Sequence, residues 1–230
     1  MIPLHDDNPT RILPIVTVAI LVSCVLAFLW QLLQAPHTQE LLVMNLGVTP
    51  AALLGDFRPS PPLYSPPPWV TLITSMFLHG GWMHLIGNLL YLWIFGNNVE
   101  DAMGHARFVG FYLLCGIAAA LIQALINPAS TVPMIGASGA ISGILGAYLL
   151  LYPRARVLVL LPFGALTHLV RLPALVVLGF WFVLQIVNSL LANTGGGVAW
   201  GAHIGGFVTG LVLIPLFKYR DVALFHPKNP

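Results

Sequence analysis

Apolar residues run along this chain in long stretches, and polar residues gather between them. A helix that crosses a bilayer needs roughly 20 apolar residues. Apolar stretches at 12–33, 82–98, 105–126, 138–152, 172–192 and 198–217 predict six membrane spans. The first, Ile12 to Leu33, exceeds the roughly 7–15 residues of a signal-peptide core, and no A-x-A site ends it. Residues 36–75 break the pattern with many prolines, Asp56, Arg58 and the run Pro66-Pro67-Pro68. An irregular outer loop with short interfacial helices is expected there. Residues 157–170 are apolar but interrupted by Pro162, Gly164 and His168, so they are expected at the membrane interface ahead of span five. The expected fold is an all-α polytopic membrane protein, a six-helix bundle. It comprises a short arm at 1–11, one membrane domain at 12–217 that includes the loop 36–75, and a tail at 218–230.

Composition strengthens the membrane reading. Hydrophobic residues make up 58% of the chain and charged ones 7%, with a mean hydropathy of +0.89. Soluble domains carry roughly 25% charged residues. A chain this apolar cannot cover itself with polar surface, so the lipid bilayer is its solvent. A net charge of +2 gives no footing for a nucleic-acid partner. Cys24 and Cys115 sit inside apolar runs and read as small core residues.

Basic residues set the expected orientation. With six spans both ends of the chain share one side, which holds Arg11, Arg107, Arg154, Arg156, Arg171, Lys218, Arg220 and Lys228, while Arg58 alone lies opposite. Both termini are therefore expected in the cytoplasm, with the protein in the cell (inner) membrane. The loops 127–137 and 193–197 face outward without charge.

Spans two, four and six then start at the outer face, and each carries polar residues near that start: His84 and Asn88, Ser138, and His203. At 1.5 Å per residue, Asn88 and His203 lie roughly 8–10 Å below the outer ends of their helices. Span four, with about 15 residues, covers roughly 22 Å of a roughly 30 Å core, which drops Ser138 by a similar depth. A lone membrane serine is ordinarily a packing residue bonded to its own backbone, and a lone Asn can be interhelical glue. Three segments meeting at one depth favour a site instead, because polar side chains inside a bilayer are costly.

Ser138 begins span four within Gly136-Ala137-Ser138-Gly139, where unpaired helix-start N–H groups can hold an oxyanion. His203 lies in Gly201-Ala202-His203-Ile204-Gly205-Gly206. The pairs Gly139/Gly143 and Gly206/Gly210 have the G-x-x-x-G spacing that brings membrane helices close. His203 is thus expected to reach Ser138 as a base. Acidic residues enter the spans only at Glu100 and Asp101, near the opposite end of span two. A Ser–His dyad is expected rather than a triad, with neutral His84 and Asn88 suited to an oxyanion. H-E-x-x-H and paired intramembrane Asp residues are absent from the sequence, so no metal and no cofactor are expected. Span five carries bulky Phe180, Trp181 and Phe182, and Gly195-Gly196-Gly197 follows. Trp181 and Phe182 are expected to form a lateral gate.

These residues resemble the rhomboid family of intramembrane serine proteases. The G-x-S-G at 136–139, Ala202-His203 with Gly206 and Gly210, and the stretch from His79 through His84 to Asn88 match its motifs in order, across spans two to six. The resemblance implies a six-span rhomboid-type bundle that hydrolyses peptide bonds in transmembrane protein substrates. It implies an oxyanion hole of His84, Asn88 and the Ser138 backbone, supported by Gly136, Gly139 and the upstream His79. It also implies a loop 36–75 partly embedded in the membrane, and substrate admission by span five with loop 193–197. Two positions depart from the family: Trp69-Val70-Thr71 where many members have Trp-Arg, and Ser142 where many have a tyrosine against the histidine. A catalytically silent relative that binds membrane proteins would lack the serine or the histidine; both are present. A channel lined by Gln123, Gln185 and Asn188 would be expected to carry mid-membrane charge, which is absent from the sequence.

Overall fold

A computed structural model describes residues 1–58, 66–163, 166–191 and 197–225. Helices dominate. α1 (Ile15–Leu32) is followed by two short helices of the loop 36–75, α2 (Pro36–Leu46) and α3 (Pro50–Leu54). Each of these two has proline in its first turn, where the missing N–H costs no hydrogen bond. A tight helical segment over Pro68–Phe77, with α4 (Thr71–Thr74) at its centre, leads back to the bundle. The segment read from sequence as span two is built of α5 (Trp82–Tyr91), a π-helical stretch at Leu92–Gly96, and α6 (Asn97–Met103). α7 (His105–Ile126), α8 (Ser138–Leu151), α9 (Ala174–Leu191) and α10 (Trp200–Phe217) complete the bundle.

Four of these helices, α1, α7, α9 and α10, are long and apolar enough to cross a membrane. Their outward residues are apolar: Leu26 is 61% exposed, Leu190 80% and Leu216 77%. That surface needs lipid, so the chain is a multi-pass membrane protein. α8 is different. Ile144, Leu145, Ala147, Tyr148 and Leu151 are fully buried, so α8 is enclosed by protein and need not match the bilayer. Its 14 residues measure about 21 Å, and its first residue is held inside the bundle.

The all-α expectation needs correction. Of residues 157–170, read from sequence as an interrupted apolar segment at the interface, 157–163 and 166–170 lie in two antiparallel strands, β2 (Arg156–Phe163) and β3 (Leu166–Pro173). The arm at 1–11 supplies a third strand, β1 (Ile2–Asp6), antiparallel to β2 with Asp6 opposite Val157. Backbone pairing satisfies N–H and C=O groups that an apolar, proline-interrupted segment could not satisfy as a helix. Span two also runs beyond its expected end at 98, to Met103.

Two acids from α6 organise the start of α1, which has no side-chain cap of its own. Fully buried Glu100 accepts hydrogen bonds from the Val16 and Thr17 amides, the Thr17 hydroxyl at 2.6 Å and His105 Nδ1 at 2.6 Å. Asp101 accepts from the Arg11 and Ile12 amides. Negative charge at a helix N-terminus is favourable, and these donors would otherwise be orphaned.

Asp6 anchors the sheet to the bundle by accepting the Tyr148 hydroxyl at 2.6 Å. Burial raises its carboxyl from 3.8 to about 6, against the opposing hydrogen bond from Tyr148. A raised folded-state pKa stabilises the fold below the unfolded value, and that stability is lost as pH rises through the folded one. Thermal unfolding in detergent is therefore expected to move to lower temperature between about pH 4 and pH 6–7. Asp6→Asn, which keeps an acceptor for Tyr148 and cannot ionise, should flatten that dependence. An identical slope in the variant would show that Asp6 does not set it.

Candidate active site

Packing of α8 against α10 creates the site. A Cβ on Gly206 would collide with the Gly139 carbonyl, and one on Gly210 with the Gly143 carbonyl. Only glycine at 206 and 210 allows the two backbones this approach. At the N-terminal end of the seam, Ser138 is the first residue of α8, and His203 lies in the first turn of α10. His203 Nε2 stands 2.8 Å from Ser138 Oγ. Gln123 Oε1 on α7 accepts the Ala202 amide at 3.1 Å, which caps the start of α10 beside the histidine.

The tautomer of His203 follows from its second nitrogen. His203 Nδ1 lies 2.9 Å from Gln185 Oε1 on α9. A carboxamide oxygen can only accept, so Nδ1 carries the proton and Nε2 presents its lone pair to the serine hydroxyl. The ring centroid is 6.0 Å from those of Trp181 and Trp200. Ser142, at the position where many rhomboids have tyrosine, turns away and donates to the Ser138 carbonyl at 2.6 Å.

Opposite the pair sit His84 and Asn88 on α5. His84 Nδ1 accepts the Gly80 amide at 3.3 Å, so its proton is on Nε2. That nitrogen faces Gly136, whose φ of +119° requires glycine. A Cβ at Gly136 would lie 2.6 Å from His84 Nε2 and 3.6 Å from Asn88 Nδ2. The chain thus passes under both donors just before Ser138. Asn88 Nδ2 is buried without a hydrogen-bond partner among the described residues. The buried His79 packs its ring edge-on to His84, with centroids 5.1 Å apart. Its Nδ1 donates to the Phe77 carbonyl at 3.2 Å. Its backbone is clasped by Gln31 on α1: the His79 amide donates to Gln31 Oε1 at 3.0 Å.

Ser138, His203, His84, Asn88 and Trp181 border one cavity of about 1260 Å³. Its extent leaves room for water and an extended peptide beside Ser138. Phe182 stacks on Phe207 with centroids 4.4 Å apart, and Trp181 lies between Phe207 and His203. Trp181, read from sequence as a gate residue, therefore also packs beside the histidine. The glycine link at 195–196 and loop positions 193–196 lie outside the described residues, as do 59–65 of the outer loop and Lys228. In that loop, Thr71 donates to the Pro68 carbonyl and Thr74 to the Leu46 carbonyl, so local bonds hold the segment that has Trp69-Val70 in place of Trp-Arg.

Sequence reasoning missed Gln31 and gave Gln185 no place beside the histidine. The available signal was polarity within an apolar helix, which does not say what the polar group touches.

Fold and cavity together define a multi-pass membrane protein with a serine–histidine pair at the N-terminal ends of two packed helices. The chain belongs to the rhomboid family: the Rhomboid domain model matches residues 66–220. It is 28% identical over 195 residues to the chloroplastic rhomboid-like protein 11 of Arabidopsis thaliana, covering 77% of this chain and 64% of that one. It is 35% identical over 142 residues to the rhomboid protease GluP of Bacillus subtilis, covering 62% of this chain and 25% of the relative. Rhomboid protein 1 of Saccharomyces cerevisiae, a mitochondrial protein, is 30% identical over 153 residues, with 62% and 40% covered. The chain thus spans less than two thirds of the length of these relatives.

Proposed function

We propose that this chain is an intramembrane serine endopeptidase that hydrolyses peptide bonds in or near transmembrane segments of other proteins. The observation that carries the reading is the 2.8 Å approach of Ser138 Oγ to an unprotonated His203 Nε2. In the proposed reaction, His203 Nε2 takes the hydroxyl proton as Ser138 Oγ attacks the scissile carbonyl. The developing oxyanion is met by Asn88 Nδ2, His84 Nε2–H and the backbone N–H at the start of α8. His203 returns the proton to the departing amine. Water then attacks the acyl-enzyme by the same exchange and frees Ser138.

Kinship to a protein named a protease supports the reading. A substrate helix protects its own carbonyls by hydrogen bonds, so it must unwind locally before cleavage, and Gly or Pro near the cut should assist. We assign α9, with Trp181 and Phe182, as the wall through which substrate enters from lipid. The test is cleavage of a single-span substrate by purified, reconstituted wild type and Ser138→Ala. Equal cleavage by the two would sink the reading, and inactivity of both would favour the silent relative.

The six-span topology, with both termini cytoplasmic and the protein in the cell (inner) membrane, rests on eight basic residues facing one side: Arg11, Arg107, Arg154, Arg156, Arg171, Lys218, Arg220 and Lys228. Exposed Ala129, between α7 and α8, is the marker for the opposite side. A cysteine there is expected to react with an impermeant maleimide added to intact cells. Reaction only after lysis would invert the orientation.

A further inference from the structure

Many rhomboids carry a tyrosine four residues after the nucleophile, against the histidine. Here Ser142 stands at that position and points back to its own helix, so α8 gives His203 no ring to lean on. The support comes from α9. Gln185 is 5% exposed, and both the nitrogen and the oxygen of its amide are hydrogen-bonded. Its Nε2 donates to the Trp181 carbonyl one turn earlier at 3.0 Å, which turns Oε1 toward His203 Nδ1 at 2.9 Å. Trp181, the residue whose carbonyl fixes this orientation, also packs its indole beside the imidazole.

We propose that Gln185 is a positioning residue for His203, the third member of a Ser138–His203–Gln185 relay. This rests on the serine-protease reading above. The amide does for the imidazole what a carboxylate does in a soluble triad: it selects the Nδ1–H tautomer and fixes the ring plane. It does so without an ionised group in an apolar bundle, where an unpaired charge is costly. As His203 takes the serine proton, the Nδ1–H···O bond becomes charge-assisted and strengthens. The contribution is therefore greater in the transition state than with substrate merely bound, and it appears in kcat.

The test compares Gln185→Met, which keeps length and removes the acceptor, with Gln185→Glu, which restores an acceptor oxygen. Both are assayed beside wild type and Ser138→Ala on a reconstituted transmembrane substrate. Gln185→Met is expected to lower kcat by about 10–100-fold, the effect of one hydrogen bond to a charged group, with KM within about twofold of wild type. The rate of fluorophosphonate labelling at Ser138 should fall in parallel. Gln185→Glu should recover most of both. Wild-type kcat in Gln185→Met, or equal losses in the two variants, would overturn the assignment. A fall in melting temperature shared by both variants with equal losses would mark a packing role only. Ser138→Ala separates the two ideas. If it is inactive while Gln185→Met is normal, the relay fails alone; if it cleaves like wild type, the protease reading fails first.

Discussion

Ser138→Ala and His203→Ala are each expected to lower cleavage of a transmembrane substrate by about 10⁴–10⁶-fold, which is loss to background in practice. The two groups act as a unit. Without Oγ no acyl-enzyme forms, and without Nε2 the hydroxyl keeps its proton at the pH of the cell. The double variant should therefore be no worse than either single one. Neither change should disturb the fold. Ser138 begins its helix beside an open cavity, and the α8–α10 seam is made by backbone at Gly206 and Gly210 rather than by these side chains. Purified variants with wild-type melting temperatures and no fluorophosphonate labelling at position 138 would meet the expectation. Labelling of Ser138→Ala at the wild-type rate would place the reactive hydroxyl elsewhere.

Asn88→Ala is expected to lower kcat by about 10²–10³-fold with a smaller change in KM. Buried polar groups are almost always paired, and an unpaired one calls for a reason. Asn88 Nδ2 is buried with no protein partner among the described residues, next to the backbone that leads into Ser138. A donor facing the cavity beside the nucleophile can turn to the scissile oxygen as negative charge appears there. The variant should keep the wild-type melting temperature while turning over slowly. A normal kcat in Asn88→Ala would remove it from the oxyanion site and leave His84 and the backbone to serve alone.

Much of this architecture was legible because its signals are local. Runs of apolar residues mark helices, and the starts of spans two, four and six each carried an odd polar residue within a few positions of glycine. Ser138, His203, His84 and Asn88 are found together in one cavity. What escaped detection depends on partners remote in sequence. Residues 157–163 read as one more apolar, proline-broken stretch; they pair with the neighbouring Leu166–Leu172, and 157–160 pair on the other side with the remote strand Ile2–Asp6. Glu100 and Asp101 looked like ordinary acids at a helix end, and their donors lie in Arg11 to Thr17. Gln185 was visible as a polar residue in span five. Its pairing with His203 became apparent only once α9 and α10 were packed side by side. Gly96 closes the π-helical stretch of span two against Thr17, another register detail without a local signature.

The clasp of β1 on the bundle has a consequence for biogenesis. Asp6 bonds Tyr148, 142 positions later, and Asp7 accepts the Arg156 amide, 149 positions later. A ribosome adding about 5–20 residues per second leaves the arm without these partners for about 7–30 seconds. During that interval α1 is already made, while the strand that will tether its leading end has not been translated. The arm is made well before the strand and helix it clasps. Its docking therefore reports that α8 and the start of the hairpin have both been laid down, and a protease-sensitive arm would mark chains whose assembly stopped short.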